Sequence, residues 1–361
     1  MADNYTLLSQ LVEHPALFGT YVLNQALKTN RFVQSGILTP DQQLGSQLSQ
    51  PGSRIIIPFI NDLTGDPDTW SDTKDIEVNN LSTGKQQGIK FYQAKAYGYT
   101  EFGQMVSGAP VADTIGQRFA AFWNRADEKT LIAILQGVMA NATIAAAKFY
   151  DQTAKTPTEP TFGAKGFLGA IGLMGDVQDT SLGAIAINSA TYSLMKFQGL
   201  IDTIQPQGAV TPFEAYNGLR IVLDDDIPVD LTTPAKPTST AYIFGSGAVS
   251  YSRAMQSTET KHDPLSKGGS DAIVQKRIGT IHVNGTSLVS SFAPADGVSP
   301  TLAELSASTT WEIVDGVDPR NIQVVAYKAQ LDPDLTPGAT SSTTSNSGST
   351  TSNSGSTTSN G

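Results

Sequence analysis

The chain has 361 residues, 39% of them hydrophobic and 16% charged, with no cysteine and a formal charge of −10. That length exceeds the roughly 250 to 300 residues at which one hydrophobic core stops growing, so two lobes or one elongated body are expected, and the missing thiols exclude disulfides, thiolate metal sites and cysteine nucleophiles. Only 23 basic residues are present, spread along the chain, which excludes a protein that coats phosphates through Lys and Arg clusters.

Residues 1–50 read as an arm. Leu7, Leu8, Leu11 and Val12 have helical spacing, as do Phe18, Tyr21 and Val22, but Gly19, Gly36, Pro40, Gly45 and Pro51 interrupt them, leaving pieces too short to form a core alone. The opening Met1-Ala2-Asp3-Asn4-Tyr5 lacks a basic and an apolar signal region, and no later stretch approaches about 18 consecutive apolar residues. Neither a standard secretion signal nor a membrane span is expected. The period then becomes extended. Ile55-Ile56-Ile57-Pro58-Phe59, Glu77-Val78-Asn79 and residues 89–97 read as strands, with Ser82-Thr83-Gly84-Lys85-Gln86-Gln87-Gly88 as a polar link between the last two. A long hairpin with little core of its own is expected over this region.

Residues 110–147 carry the clearest helix. Ile115, Phe119, Phe122 and Ala126 recur at three and four residues, and Leu131, Ile134, Leu135, Val138 and Ala142 continue the stripe, with Pro110 and Asp113 as start signals. At 1.5 Å per residue this spine would be roughly 50 Å long. A glycine-rich helix over 162–175, a buried strand over 182–188, a helix over 189–201 and a strand beginning at Arg220 follow, suggesting an α+β lobe over about 150–240. From Ala241 a β-rich stretch returns to the spine. After Asp334 there is no charged residue, and Ser342-Thr343-Thr344-Ser345-Asn346-Ser347-Gly348 repeats from Ser349, the composition of a flexible tether.

Chemistry-bearing patterns are sparse. His14, His262 and His282 are far apart, and none has the i, i+4 partner of a zinc helix; His262-Asp263 is adjacent rather than metal-spaced. Asp224-Asp225-Asp226 is the densest acidic run, but consecutive strand residues face opposite sides and calcium-loop spacing is missing, so a solvated turn is expected. The glycine pieces Gly163-Ala164-Lys165-Gly166 and Gly169-Ala170-Ile171-Gly172 match no phosphate loop, and no G-x-S-x-G elbow occurs. The reading therefore assigns no catalytic, cofactor-binding or metal residue, and no enzyme.

Near the end, Ser299-Pro300-Thr301-Leu302-Ala303-Glu304-Leu305, then Trp311-Glu312 and Asn321-Ile322-Gln323-Val324-Val325-Ala326-Tyr327, read as a short capped helix, a buried aromatic and a closing strand. This order resembles the C-terminal signature of tailed-bacteriophage major capsid proteins. Gly245-Ser246-Gly247-Ala248, His262-Asp263, Gly268-Gly269-Ser270-Asp271 and His282-Val283-Asn284-Gly285 are similar local matches, and the likeness runs to about Gln330. It implies an α+β, Hong Kong-type capsid fold. Residues 1–50 would be the N-terminal arm and 51–98 the extended β-hairpin loop. Residues 99–150 and 241–330 would form the peripheral domain with spine helix and returning strands, 151–240 the axial domain, and 331–361 a flexible tail.

The resemblance further implies a major capsid protein that assembles with itself as hexamers and pentamers. The product would be an icosahedral shell around double-stranded DNA, with the DNA approached only by non-specific proximity. Its partners would be a scaffolding protein, a portal and decoration proteins, with no membrane and with assembly in the host bacterial cytoplasm. Many relatives begin with a long helical scaffolding segment; the short arm here implies scaffolding in trans or a chain already mature. Some relatives cross-link Lys to Asn, and Lys85 and Lys90 lie in the expected hairpin, but no cross-linking residue is assigned. An encapsulin-like cargo compartment and an enzyme on an α+β scaffold are the alternatives.

Overall fold

The computed structural model describes residues 31–340, apart from 61–65, 68, 71, 74–77, 79–82, 109, 180–181, 205–212 and 315. The arm helices expected before residue 31, His14, most of the strand expected at 77–79 and the repeats of 341–361 lie outside the described residues.

Three short pieces open the described chain: α1 (Arg31–Gln34), β1 (Leu38–Pro40) and α2 (Gln42–Leu48). Asp41 caps α2 by accepting from Gln43 N at 2.8 Å. β2 (Arg54–Ile60) and β3 (Thr83–Ile89) then pair antiparallel, from Arg54↔Ile89 to Ile60↔Thr83, as an isolated two-stranded hairpin. This corrects the expected strand positions. The polar segment read as a link forms the returning strand, whereas β4 (Phe91–Thr100) leaves the hairpin and joins another sheet. Alternation marks strands only where one face is buried, and Thr83-Gly84-Lys85-Gln86 has no buried residue to mark it.

After α3 (Glu101–Ser107), the spine α4 runs over Val111–Ala140 and α5 over Ala142–Lys148. One helix was expected to about residue 147. It turns by 93° at Asn141, whose Oδ1 accepts from Thr143 N at 3.0 Å and Ile144 N at 3.3 Å, while its Nδ2 donates to Trp311 O at 2.8 Å. An Asn side chain that offers the backbone an alternative partner ends one helix and starts the next.

β5 (Phe149–Asp151), α6 (Gln152–Lys155), α7 (Ala164–Ile171), β6 (Leu182–Ile187), α8 (Ser189–Phe197), β7 (Asp202–Ile204), β8 (Phe213–Tyr216), β9 (Leu219–Leu223), β10 (Val229–Asp230) and β11 (Thr238–Gly245) follow. The glycine-rich helix is shorter than expected: it passes at Gly172 into a 3₁₀ turn kinked at Gly175, where φ is 62°.

The chain then makes the long pair β12 (Val249–Asp263) and β13 (Ser270–Val283), followed by β14 (Thr286–Leu288), α9 (Leu302–Leu305), β15 (Trp311–Ile313) and β16 (Val324–Gln330). One sheet has the order β1-β12-β13-β4. The other, β5-β16-β11-β6-β9-β8-β7 with β10 on β11, joins strands from both halves of the chain. Its central strands bury both faces. In β6, β11 and β16, Ala184, Ala186, Tyr242, Phe244, Val324 and Ala326 enter the core that holds the spine's Leu131, Ile134, Leu135 and Val138. Their neighbours Ile185, Ile187, Ala241, Ile243, Val325 and Tyr327 enter a second core with Phe167 of α7 and Leu194 of α8.

The closing segment locks the spine's bend. Thr301 and Glu304 form a capping box, and the fully buried Trp311 donates from Nε1 to Leu305 O at 2.8 Å. Each glycine-bearing motif matched earlier sits at a strand-connecting turn: Gly247, Gly268, Gly269 and Gly285 all have φ between 72° and 91°, the left-handed region that glycine enters without steric penalty.

Candidate assembly interface

The hairpin β2–β3 has almost no core, and its position is set at its root. Leu44 and Leu48 of α2 pack with Ile55, against Ala254 of β12 and Ile278 of β13. Gln47 treats the edge of β2 as a strand would: its Oε1 accepts from Ile56 N at 2.9 Å and its Nε2 donates to Ile56 O at 2.6 Å. Arg54 donates to Gln87 Oε1 at 2.6 Å and to the Ser290 and Phe292 carbonyls at 2.8 and 2.6 Å. Buried Lys90 donates to Gln50 O at 2.6 Å.

His282, fully buried under the hairpin, meets Gln86 Oε1 through Nε2 at 3.0 Å. Because Gln86 Oε1 can only accept, Nε2 carries the proton there. Nδ1 has no partner among the described residues. Burial pulls the imidazole down to about 4, so it sits neutral beneath the hairpin.

Beyond this root the hairpin turns its apolar residues outward. Ile56 and Ile60 are 50% and 66% exposed, and Trp70, in the segment between its strands, is 86% exposed. A second outward apolar group lies at the far end of the long sheet, where Phe102, Met105 and Val106 of α3 and Leu265 of the β12–β13 turn are exposed. Lone exposed apolar residues need no explanation, but groups of them on projecting elements mark surfaces that another molecule covers.

The long sheet is tied to the spine by a buried ionic joint. Arg277 of β13 pairs with Asp127 of α4 at 2.6 Å, donates to Gln93 Oε1 at 2.6 and 2.8 Å, and stacks on Trp123 with Cζ 4.2 Å from the ring centroid. Trp123 Nε1 donates to Gln275 Oε1 at 2.7 Å, and Arg253 reaches Asp127 at 3.1 Å. The planar guanidinium satisfies carboxylate, amide and ring together, which a lysine there would not.

A polar cleft of about 680 Å³ opens between the hairpin and β14–β15, lined by Thr83, Lys85, Gln87, Ser287, Ser290 and Glu312 among others. Asp224-Asp225-Asp226 does form a turn: Asp224 Oδ1 accepts from Asp226 N at 2.9 Å, and Asp225 Oδ1 accepts from Ser189 N at 2.9 Å. Asp224 is buried, however, and Glu128 of the spine lies close to it and Asp226. The glycine pieces serve packing, since a Cβ at Gly166 would meet Gln152 and Tyr327, and one at Gly169 would meet Tyr150. Sequence reading missed the Arg277–Asp127 joint and the His282–Gln86 contact, because cross-sheet register leaves no spacing signal in a single sequence.

No family model matches the chain. Over 329 residues, 91% of this chain and 99% of the relative, the sequence is 28% identical to the major capsid protein of Bacillus phage SPP1. The fold resembles the capsid of Ralstonia phage GP4, with a TM-score of 0.55 at 10% identity over 84% of this chain and 89% of that one. It also resembles the capsid asymmetric unit of cyanophage Pam1, with 0.54 at 11% identity over 81% and 88%. The sequence is thus similar to a phage major capsid protein over nearly the full length of both chains, and the fold is that of tailed-phage capsids. It has the α+β architecture expected from the sequence, and the encapsulin-like and enzyme alternatives find no support in these relatives.

Proposed function

We propose that this protein is the major capsid protein of a tailed double-stranded DNA phage, associating with itself as hexamers and pentamers to build an icosahedral shell, with no catalytic role. The observation that carries this reading is the homology to a phage major capsid protein over nearly the full length of both chains. The projecting hairpin adds a physical rationale. An isolated two-stranded ribbon is marginal in water, and covering Ile56, Ile60 and Trp70 on a neighbouring subunit couples its ordering to lattice formation.

In this reading residues 1–50 act as an arm and 51–98 as the loop that reaches a neighbour. Residues 99–150 and 241–330 form the peripheral body and 151–240 the axial lobe near the symmetry axis. The tether expected over 331–361 starts later, because Leu331 is buried and its N donates to Pro237 O at 2.7 Å; the exposed tether is proposed only for the residues after 340. A scaffolding protein, a portal and decoration proteins are the partners proposed, with assembly in the host cytoplasm and location in the virion shell. Net negative charge suits a wall that must not adhere to packed DNA. Electron microscopy of the purified protein, with light scattering, tests the proposal: closed shells or capsomer rings are expected, and a stable monomer or dimer even with scaffolding protein present refutes it.

A further inference from the structure

We propose that Glu101, His262 and Asp271 form a binding site for a first-row divalent transition-metal ion of the zinc type at the outer end of the long sheet. The three side chains come from separate elements. Glu101 is the first residue of α3, His262 lies at the end of β12, and Asp271 lies at the start of β13. His262 and Asp271 are register partners on adjacent antiparallel strands, so their side chains leave the same face. Nδ1 of His262 stands 2.7 Å from Asp271 Oδ1 and 3.5 Å from Glu101 Oε1, and the three ligand atoms all lie within 4.8 Å of one another.

The backbone holds this convergence in place. Glu101 N donates to Gly269 O at 2.9 Å. Gly269 has φ of 91°, and a Cβ there would collide with the Glu101 carboxylate. Only glycine permits both the turn and the approach of that carboxylate.

One imidazole nitrogen with two carboxylate oxygens is a donor set that suits zinc-type ions; magnesium and calcium favour oxygen-only sets. A proton now bridges Nδ1 and Asp271, and these groups with neighbouring Asp263 hold the imidazole above its ordinary pKa, Asp271 foremost. An ion replacing that proton forms bonds of about 2.0 to 2.2 Å to each donor. That requires the N···O separation to widen by only about half an ångström, and the exposed side chains can rotate that far. Three protein donors leave a further coordination position for water or for a donor from a neighbouring chain. Bound metal would join α3 to the ends of β12 and β13, fixing the direction in which Phe102, Met105 and Val106 face.

The test is calorimetric titration of the full-length protein with ZnCl₂ near neutral pH, beside His262→Ala, Asp271→Asn and Glu101→Gln. One saturable site per chain is expected in the parent. It should be lost in His262→Ala and weakened at least about tenfold in the two carboxylate variants, since removing a direct ligand exceeds the 10- to 100-fold effect of removing its supporting partner. Zinc should also slow amide exchange across residues 101–107 in the parent alone. Absence of saturable binding overturns the proposal, as does equal stoichiometry in His262→Ala, which would place the ion elsewhere. Glu101→Gln keeps the shape of an exposed side chain, so its result stands even if another variant folds poorly.

Discussion

Gly137 lies where the spine touches the closing segment: a Cβ there would strike Leu305 O and come within 2.9 Å of the Trp311 ring. Gly137→Ala would gain about 1 kcal/mol of helix propensity. The methyl group, however, would push on a carbonyl fixed by the Trp311 hydrogen bond, and over-packing of this kind costs about 1 to 3 kcal/mol or more. A net loss of up to about 2 kcal/mol is expected in urea unfolding; a raised midpoint would show that α9 yields freely. His282 gives a pH effect with a definite sign. The folded imidazole stays neutral down to about 4, whereas the unfolded one charges near 6.5. Between those values the unfolded chain binds more protons, so stability is fully present above the upper value and falls as pH drops through the window, by on the order of 3 kcal/mol. His282→Gln should flatten that part of the stability profile relative to the parent, and parallel profiles would contradict the assignment. Neither role is written in the local sequence. Gly137 sits in an otherwise regular apolar stripe, and His282 acquires its partner Gln86 from a strand 196 residues away.

At the scale of elements, the hairpin separates folding from assembly. Ile60 touches solvent, so Ile60→Asp should change subunit stability by less than about 0.5 kcal/mol while lowering the yield of large particles in light scattering. Loss of soluble subunit instead of loss of particles would mean that Ile60 serves the fold. The spine was legible because apolar residues recur at three and four from Ile115 to Val138, even though the stretch from Thr130 to Met139 is buried almost all round. Its end at Asn141 was signalled only by a residue type that also occurs inside helices. β6 and β11 were legible as apolar runs, and the closing strand likewise. β3 was not, since its outer residues Thr83–Gln86 are nowhere buried and so impose no hydrophobic pattern, and their pairing with β2 is carried by the backbone. The Glu101–His262–Asp271 group was hidden for a related reason: its spacing of nine residues between histidine and aspartate is set by the length of a turn, not by a helix or a motif.

For the whole molecule, the shared sheet has a thermodynamic consequence. β6, β11 and β16 present alternate residues to both cores, so neither core can lose its wall while the other keeps it. The isolated subunit should therefore melt over 31–340 in one calorimetric transition, with van't Hoff and calorimetric enthalpies in agreement; two resolved transitions would mean that the sheet parts between its strands. The order in which that wall is completed also matters during synthesis. β11 pairs with β6 on one side and with β16 on the other, and β16 is the last long strand of the described chain. At bacterial elongation rates the free edge of β11 waits on the order of ten seconds for its partner. Throughout that interval a nascent chain carries an open, apolar strand edge, so crowded ribosomes making this subunit in quantity would expose many such edges at once. Holding them apart until β16 emerges is a task for whatever chaperone the cell provides.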